Sequence, residues 1–433
     1  MGSEWRTATV AELQREGVLL VEDGNHGEYR PRPDEFVADG VAFIRAADMD
    51  GGRVLFDSAS RINDRAVQRI TKGIGAPGDV LLSHKGTVGK VALVLDDAPR
   101  FVCSPQTTFW RTLDPNTLDR GYLYAYLRSA LFRQQLDARE AETDMAPYVS
   151  LTSQRGLTVE LPPLSEQRRI GRVLGSLADK IELNRRMSQT LESMARALFK
   201  SWFVDFDPVR AKADARDPGL PDQLASQFPD SFHECEGTQV PAGWGLRTVE
   251  DDFCVTMGQS PPGETYNQEG NGLPFYQGRA DFGTRFPSRR VYCTAPTRLA
   301  RLGDTLVCVR APVGDTNLAS EDCAIGRGLA SVRHRSGAGS YTLLTMRSLA
   351  DSFAAFESEG TVFGSINKHG FGAMRVTSPP IPVVLAFEKL VSPLDAQMEC
   401  AHLQAGLLAE LRDSLMPSLM SGSMELSEGG LDA

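Results

Sequence analysis

The chain has 433 residues, of which 41 % are hydrophobic and 24 % charged, a composition typical of a soluble protein with about two to four domains. No apolar run reaches the roughly 18 residues of a membrane span, and the first residues lack the basic and apolar pattern of a signal peptide, so we expect a cytoplasmic protein. Seven scattered cysteines without a Cys-x-x-Cys pair favour reduced thiols and argue against a zinc ribbon. The net charge of −10 argues at first sight against a nucleic-acid partner, but residues 244–380 carry 14 Lys and Arg against 13 Asp and Glu, whereas residues 381–433 carry 2 against 8.

The first globular part of the chain has a mixed α/β pattern. Residues 41–45, 79–83 and 88–95 are short β-rich runs, and Gly86 between the last two predicts a hairpin. Residues 121–136 carry aromatic and aliphatic side chains at helical spacing, which predicts one helix.

A long helix is predicted next. Ser165 is its expected N-cap, and no proline interrupts the pattern before Asp207-Pro208, so some 38 residues would span roughly 57 Å. Asn184 lies in the middle of the heptad seam, where a buried Asn can fix the register of a partner helix. The expected seam positions are Ile170, Val173, Leu177, Lys180, Asn184, Met187, Leu191, Met194 and Leu198.

The rest of the chain follows the same order. Residues 207–241 are rich in Pro, Asp, Ala and Ser, which predicts an exposed connection. A second α/β part follows, with a strand over 305–309 and a helix over 341–356, and then a second long helix over about 384–415. The expected seam positions of that helix are Phe387, Leu390, Leu394, Leu408, Leu411 and Leu415.

The two halves repeat one another. Residues 78–81 (Gly-Asp-Val-Leu) match residues 303–306 (Gly-Asp-Thr-Leu) at an offset of 225, and the Pro-Pro pair at 162–163 matches that at 379–380 at an offset of 217. The second offset continues without gaps along both long helices. Two equivalent helices are therefore predicted to pack antiparallel, the alternative being that each packs against its own globular part.

No catalytic constellation is recognisable. Residues 73–78 fit G-x-G-x-x-G but precede a predicted strand, and residues 86–91 lack the residues that complete a phosphate loop. The Asp/Asn-Pro-Pro-Tyr/Phe tetrapeptide of amino-methyltransferases is absent from the sequence. We therefore expect no enzymatic activity, no bound cofactor and no metal site on this chain.

Several residues in predicted loops have side chains suited to DNA. Arg and Lys bind guanine edges, Asn and Gln bind adenine edges, and all four bind phosphate. For any one of them, plain solvent exposure is the competing interpretation. The DNA-binding candidates are Arg45, Lys85, Thr87, Lys90 and Ser150 in the first half and Gln277, Arg279, Arg310, Asn367 and Lys368 in the second.

The central part of the chain resembles the specificity subunits of Type I restriction–modification systems. Residues 161–167 (Leu-Pro-Pro-Leu-Ser-Glu-Gln), the helix after them and residues 200–209 (Lys-Ser-Trp-Phe-Val-Asp-Phe-Asp-Pro-Val) are similar to the central conserved region of that family. Residues 78–83 and 86–89 resemble a strand-turn-strand inside its target recognition domains, and Gly243-Trp244 resembles the start of the second such domain. The resemblance covers nearly the whole chain.

The resemblance implies an α+β fold with two repeated target recognition domains and two long antiparallel helices. It implies the following division: recognition domain 1 over 1–160, central helix 161–206, linker 207–241, recognition domain 2 over 242–380, distal helix 381–421 and an acidic flexible tail 422–433. Each recognition domain would read one half of a split double-stranded DNA target, and the helices would set the spacing between the halves. The helix positions expected to form the spine or bind partners are Ile170, Leu177, Asn184, Leu191, Leu198, Phe387, Leu394, Leu408 and Leu415.

The resemblance also implies partners. Two methyltransferase subunits would carry S-adenosylmethionine and methylate adenine, and restriction subunits would use ATP and Mg for translocation and cleavage, with no membrane involved. A different class of protein remains open, namely a helical adaptor whose α/β parts bind protein, and so does an enzyme with an unrecognised site. Salt-dependent binding to mixed-sequence DNA, with the methyltransferase subunit present, distinguishes a DNA reader from an adaptor.

Overall fold

The structure is a computed structural model that describes residues 5–24, 27–140, 147–358 and 364–424. The chain forms two compact units: unit 1 comprises residues 1–184 and 404–433, and unit 2 comprises residues 185–403. Each unit therefore contains one globular part and a portion of each long helix. The expected acidic tail, residues 422–433, lies outside the described residues from position 425 onward. Within the described ranges, no helix has the length and apolar character needed to cross a membrane.

Unit 1 contains thirteen strands among its described residues and the start of the first long helix. Its strands are β1 Arg6–Thr9, β2 Leu19–Asp23, β3 Phe36–Val37, β4 Val41–Ile44, β5 Met49–Asp50, β6 Arg53–Val54, β7 Ser60–Ile62, β8 Ile74–Gly75, β9 Val80–Ser83, β10 Val91–Leu93, β11 Phe101–Cys103, β12 Thr107–Thr112 and β13 Thr158–Leu161. Its helices are α1 Val10–Arg15, α2 Asp64–Arg69, α3 Arg120–Leu127, α4 Ala130–Glu140, α5 Leu151–Arg155 and the first part of α6 Leu164–Phe203.

Unit 2 repeats this order after an additional hairpin. Its strands are β14 Phe232–Cys235, β15 Thr238–Pro241, β16 Gly245–Thr248, β17 Phe253–Met257, β18 Tyr266–Asn267, β19 Leu273–Tyr276, β20 Tyr292–Cys293, β21 Leu299–Ala300, β22 Thr305–Cys308, β23 Thr316–Leu318, β24 Cys323–Ile325, β25 Leu329–His334 and β26 Arg375–Ser378. Its helices are α7 Asp207–Ala213, α8 Asp222–Ala225, α9 Val249–Asp252, α10 Gly339–Ser348, α11 Ala350–Ser358, α12 Lys368–Gly372 and the first part of α13 Ile381–Met420.

Corresponding sheets have the same strand order in the two units. The order β2-β12-β9-β10 in unit 1 matches β17-β25-β22-β23 in unit 2, and β7-β4-β11-β8 matches β20-β19-β24-β21. The pairs β4–β11 and β19–β24 are parallel, and a two-stranded ladder (β1–β13 or β16–β26) precedes each long helix. The predicted α+β fold with two repeated units and two long helices is therefore confirmed.

The repeated Gly-Asp motif has a structural role in each unit. Gly78 and Gly303 have φ of 84° and 80°, a left-handed conformation that glycine adopts without strain. The Asp79 carboxylate accepts from the Ala76 amide at 2.8 Å and binds Arg111 on the neighbouring strand at 2.6 Å. Burial raises the pKa of Asp79, and the charge of Arg111 opposes that rise. The motif thus closes the turn that leads into β9 and β22.

In unit 1 the first turns of α6 attach the helix to the sheet part. The buried Gln167 side chain accepts from the Asp119 amide at 2.9 Å and donates to the Thr117 carbonyl at 3.0 Å. Ile170 and Leu174 share an apolar core with α3 and with Met416 and Leu419 near the end of α13. The beginning of α6 therefore packs against both its own globular part and the end of α13.

In unit 2 the corresponding core is aromatic. The Phe387 ring on α13 lies 5.9 Å from Phe199 and 5.8 Å from Trp202 on α6, and 6.5 Å from Tyr341 on α10. The beginning of α13 thus meets the end of α6, so the portions of the two helices in each unit run antiparallel. The two alternatives posed by the sequence occur together, because each helix begins on its own globular part and also contacts the other helix.

The predicted heptad seam agrees with the observed burial at only some of its positions. Ile170, Asn184, Leu191 and Phe387 are buried, and the Asn184 amide donates to the Gln404 side chain at 3.4 Å. The half-buried positions are Val173, Leu177, Met187, Leu198, Leu394, Leu408 and Leu415. The predicted seam positions that are exposed are Lys180, Met194 (53 %), Leu390 (46 %) and Leu411 (46 %).

The helical period explains the exposure of Met194 and Leu411, which lie several heptads after the buried Ile170 and Phe387. A straight helix has 3.6 residues per turn, so a strict seven-residue pattern drifts around it by about 20° per heptad. On α6 the buried residue is accordingly found one position later, at Ala195, and at the start of α13 Val391 is buried in place of Leu390.

Other sequence expectations are corrected by local capping. α6 begins at Leu164, and the Pro163 carbonyl accepts from the amides of Glu166 and Gln167, so Ser165 is not the N-cap. The helix expected over 121–136 is two helices, because the Ser129 hydroxyl accepts from the Phe132 amide at 3.2 Å and starts α4 afresh. The helix expected over 341–356 likewise divides into α10 and α11.

Residues 207–241 are not a wholly exposed connection. Helix α7 buries Val209, and Phe228 is 1 % exposed with its ring 5.0 Å from that of Trp202. The hairpin β14–β15 buries Val240. The few apolar residues among the Pro, Asp and Ser of this segment fix it to the core of unit 2.

We predict that truncating Phe387 to Ala destabilises unit 2 by about 3–5 kcal/mol, because a fully buried ring leaves a cavity among aromatic neighbours. The matched control on the same helix is Leu390→Ala, where the side chain is 46 % exposed and the change should stay within about 0.5 kcal/mol. Urea unfolding of both variants measures the difference. Equal losses of stability would contradict the packing described here.

Candidate nucleic-acid interface

In unit 1 four loop segments meet at one edge of the sheets. The Ser104 amide, after β11, donates to the Ile44 carbonyl at the end of β4 at 2.8 Å. The His84 amide, after β9, donates to the Gln106 carbonyl at 2.9 Å, and the Val149 amide donates to the His84 carbonyl at 2.9 Å. We call Arg45, Lys85, Thr87, Gln106 and Tyr148 on these segments the unit 1 loop edge.

Unit 2 builds the same arrangement with the same bonds. The Gly326 amide donates to the Tyr276 carbonyl at 2.8 Å, the Val309 amide to the Gly328 carbonyl at 2.9 Å, and the Ile366 amide to the Val309 carbonyl at 3.0 Å. We call Gln277, Arg310, Arg327 and Ser365, which extend from these segments, the unit 2 loop edge.

The two edges correspond at three pairs of positions, Arg45 with Gln277, Lys85 with Arg310 and Tyr148 with Ser365. Lys85 pairs with Tyr148 in an isolated antiparallel bridge, and Arg310 pairs with Ser365 in the same way. Lys85 and Arg310 are 225 residues apart, the offset of the Gly-Asp motif, and Tyr148 and Ser365 are 217 apart, the offset of the Pro-Pro pair. One backbone scaffold therefore presents two different sets of side chains.

Most of the predicted loop residues at these edges are exposed. Lys85, Thr87, Gln277 and Arg310 are exposed, and the Lys85 ammonium lies 5.7 Å from the Tyr148 ring centroid. The Arg45 side chain is 45 % exposed, although its Nε also lies 3.3 Å from the Asp48 carboxylate. These side chains can reach a ligand without breaking a buried contact.

Other predicted residues are occupied by structural contacts. The Lys90 ammonium donates to the carbonyls of Ala46 and Met49 at 3.1 and 3.0 Å, and Arg279 binds Asp315 at 2.5 Å. Lys368, the first residue of α12, differs from Lys90 and Arg279 because it is exposed.

Ser150 and Asn367 are helix caps. The Ser150 hydroxyl accepts from the Ser153 amide at 3.0 Å at the start of α5, and the Asn367 side chain accepts from the Gly370 amide at 2.8 Å at the start of α12. Their equivalence at an offset of 217 thus reflects a shared local fold. Their contact with DNA stays a prediction.

Sequence reasoning missed Gln106, Tyr148 and Arg327. Gln106 and Arg327 are exposed between the parallel strand and the next strand of their units, and Tyr148 partners Lys85. Neither Gln106 nor Arg327 belongs to a conspicuous motif, and the signal that could have found them is the repeat itself. Ser104 and Gly326 make equivalent backbone bonds at an offset of 222, so Gln106 and Arg327 lie on the same loop of the repeat, one position apart.

The long helices expose apolar side chains in both units. In unit 1 Leu183, Leu407 and Leu411 are 57 %, 66 % and 46 % exposed. In unit 2 the exposed large apolar positions on these helices are Met194, Ile381, Leu385, Leu390 and Leu403. Exposed aliphatic side chains repeated along a helix are typical of a surface that another protein covers.

Comparison with known proteins shows similarity to one class of protein. Residues 27–193 match the family described as Type I restriction modification DNA specificity domain. The chain is 26 % identical over 445 residues to the HindI specificity subunit, a type I restriction enzyme component of Haemophilus influenzae, covering 89 % of this chain and 94 % of that protein. It is also 26 % identical over 359 residues to a Methanocaldococcus jannaschii protein assigned as a type I restriction enzyme specificity subunit, covering 81 % of this chain and 79 % of that protein.

A solved structure supports the fold. The crystal structure of a Type I restriction–modification system S subunit from M. genitalium aligns over 98 % of this chain and 97 % of its own length, with a TM-score of 0.63 and 14 % identity. The family match over residues 27–193 and the named relatives agree with the expected resemblance to specificity subunits of type I restriction systems.

We predict that Asn367→Ala speeds amide hydrogen exchange at Gly370, because the amide loses its capping acceptor, at a cost of about 1 kcal/mol to the start of α12. Lys368→Ala is the control, since its exposed side chain has no role in the cap. Exchange at Gly370 that is unchanged by the Asn367 substitution would show that the cap is not formed in solution.

Proposed function

We propose that this chain, a member of the family of Type I restriction–modification specificity subunits, reads a bipartite double-stranded DNA target, with one loop edge on each half. The observation that carries the proposal is the repeated loop edge, where the same backbone bonds present different side chains in the two units. A reader of two unlike half-sites needs this combination of one scaffold and two side-chain sets.

The chemistry of the exposed side chains suits base edges. Lys85 in unit 1 and Arg310 and Arg327 in unit 2 can bind the O6 and N7 acceptors of guanine, and Gln106 and Gln277 can bind the adenine edge. Side chains that already have buried or capping partners, such as Lys90, suit a role in holding the loops in place.

The long helices would have two roles in the complex. They would set the spacing between the two half-sites, and their exposed leucines would bind two methyltransferase subunits. Those subunits would supply S-adenosylmethionine for adenine methylation, and restriction subunits would supply the ATP- and Mg-dependent motor and nuclease. This chain would bind none of these cofactors itself.

The acidic composition is consistent with DNA binding to which the partner subunits also contribute. Phosphate contacts usually dominate protein–DNA affinity, and a chain with a net charge of −10 has little surplus of cations for them. We therefore expect the chain alone to bind its target weakly and the methyltransferase subunits to close around the duplex. An adaptor whose α/β units bind protein would show no such gain in affinity for DNA.

We predict that Arg327→Ala and Gln277→Ala relax recognition in one half-site only, by about 5- to 150-fold, as expected for the loss of about 1–3 kcal/mol of base discrimination. The assay is methylation of a randomised duplex library by the complex with methyltransferase subunits. Arg247→Ala, an exposed arginine on β16 outside the loop edge, is the control and should leave the half-site unchanged. Relaxation of both halves, or of neither, would contradict the assignment of the edge.

We further predict that Leu407→Glu prevents co-purification of a methyltransferase subunit, because it puts a charge into an apolar contact surface. The side chain is 66 % exposed, so the free chain should keep its stability. Gln397→Glu, which adds the same charge at an exposed polar position of α13, is the control. Normal assembly of the Leu407→Glu chain would exclude this surface as the binding site.

A further inference from the structure

We infer that Arg53 in unit 1 and Arg285 in unit 2 are positioning residues, which fix the angle of each globular part on the long helices and thereby the spacing of the target that the complex accepts. This inference rests on the proposed function, because the spacing has meaning only for a bipartite target. It goes further in assigning the angular control to two ion-pair sites, which are separate from the loop edges and from the aromatic core.

Unit 2 shows the fuller site. The Arg285 side chain is 6 % exposed and binds Glu192 on α6 and Asp395 on α13. A single guanidinium from the sheet part thus holds both helices at once. Arg347 on α10 also binds Glu192. Arg285 and Arg347 hold the pKa of Glu192 below its ordinary value even though burial acts to raise it, so this carboxylate stays charged.

The start of α10 adds hydrogen bonds to the same acids. The Ser340 hydroxyl lies 2.8 Å from the Asp395 carboxylate and 3.0 Å from that of Glu388 and shares its one proton between them, and the amides of Ser340 and Tyr341 each donate to Glu388 at 3.1 Å. The acids on α13 therefore contact both the arginine of the sheet part and the first turn of a helix in the same unit.

Unit 1 has a simpler counterpart. The Arg53 side chain is 12 % exposed and binds Asp179 on α6. The Leu93 amide donates to the Gly52 carbonyl at 3.0 Å, and the Leu318 amide, 225 residues later, donates to the Arg285 carbonyl at 2.8 Å. Gly52 therefore corresponds to Arg285 in the repeat, and Arg53 is the next residue. Both halves thus carry an arginine-to-helix bridge near this place.

These bridges have a directional role that the apolar core lacks. Apolar burial is largely non-directional, so a core alone allows small rotations of the sheet part on the helix. An arginine fork that binds fixed carboxylates has a narrow geometry, and a buried charge without its partner is costly. Arg53 and Arg285 also adjoin β10 and β23, the second strands of the hairpins whose turns carry Lys85 and Arg310. A rotation at the bridge therefore moves the loop edge.

The two units should differ in how tightly they are held. In unit 2 the acids are largely buried, with Glu192 and Asp395 side chains 16 % and 14 % exposed, whereas Asp179 in unit 1 is 67 % exposed. Solvent weakens an exposed pair. The loss of Arg285 should accordingly loosen spacing more than the loss of Arg53.

The test measures methylation by the complete complex on targets whose spacer is lengthened or shortened by one base pair. We expect Arg285→Met to keep the preferred bases of both half-sites while the preference for the natural spacer falls at least tenfold, and Arg285→Lys to give an intermediate loss. Arg53→Asp should reduce the preference less, and adding Asp179→Arg should restore it by rebuilding the bridge with its charges exchanged. Arg289→Met, which removes an exposed arginine paired with Glu321 inside unit 2, is the matched control and should change nothing.

The outcomes distinguish a failure of the positioning role from a failure of the proposed function. Unchanged spacer preference in soluble complexes of Arg285→Met, or of Arg53→Asp should Arg285→Met fail to fold, would overturn the positioning role. Failure of the exchanged pair to recover what Arg53→Asp loses would overturn the role of the unit 1 bridge. A wild-type complex that methylates no bipartite target would instead overturn the proposed function, and the inference with it.

Discussion

The long helices need an apolar surface on which to begin, and the rest of the structure depends on that requirement. A 40-residue helix with a polar face gains most of its stability from packing along its apolar stripe. In unit 1 the first turns of α6 find this surface at α3, where Gln167 and Ile170 are buried. In unit 2 the first turns of α13 find it at α10, where Phe387 meets Tyr341. The same junction recurs, so the strands and loops built upon it recur as well.

The proposed contact with DNA has the opposite requirement, because the side chains of the loop edges must stay exposed. The backbone bonds of the loop edges are satisfied among the loops themselves, for example between His84 and Gln106, so the side chains are not needed to hold the loops together. The same backbone arrangement therefore carries Lys85 in unit 1 and Arg310 at the corresponding place in unit 2. Such an edge can carry different side chains on the same backbone, as a reader of two unlike half-sites would require under the proposed function.

Much of the architecture could be predicted because it repeats in the sequence. The offsets of 225 and 217 identified the repeated Gly-Asp turn and the equivalence of the two long helices, the β-rich runs around Gly86 predicted the hairpin, and the buried Asn184 followed from its place in the seam. The heptad assignments of Met194 and Leu411 were wrong because a straight helix drifts away from a seven-residue period. Single hydroxyls such as Ser129 set helix boundaries that periodicity does not reveal.

The candidate site was less predictable. An exposed residue does not contribute to the hydrophobic periodicity of the sequence. Gln106 and Arg327 could therefore be recognised as candidates only from the structure, where the sheet places them beside Arg45 and Gln277. Ser150 and Asn367 match at the repeat offset because both cap a short helix, so their match by itself does not assign them a contact with DNA. The ion pairs of Arg53 and Arg285 join residues more than 90 positions apart, and no local signal connects them.

The most direct test of the account removes one heptad from each long helix, residues 181–187 of α6 and residues 401–407 of α13, and maps the methylation target of the assembled complex. If the loop edges read bases and the helices set their spacing, the spacer between the half-sites changes while the bases of each half are kept. A target with altered bases and the original spacer would contradict the account.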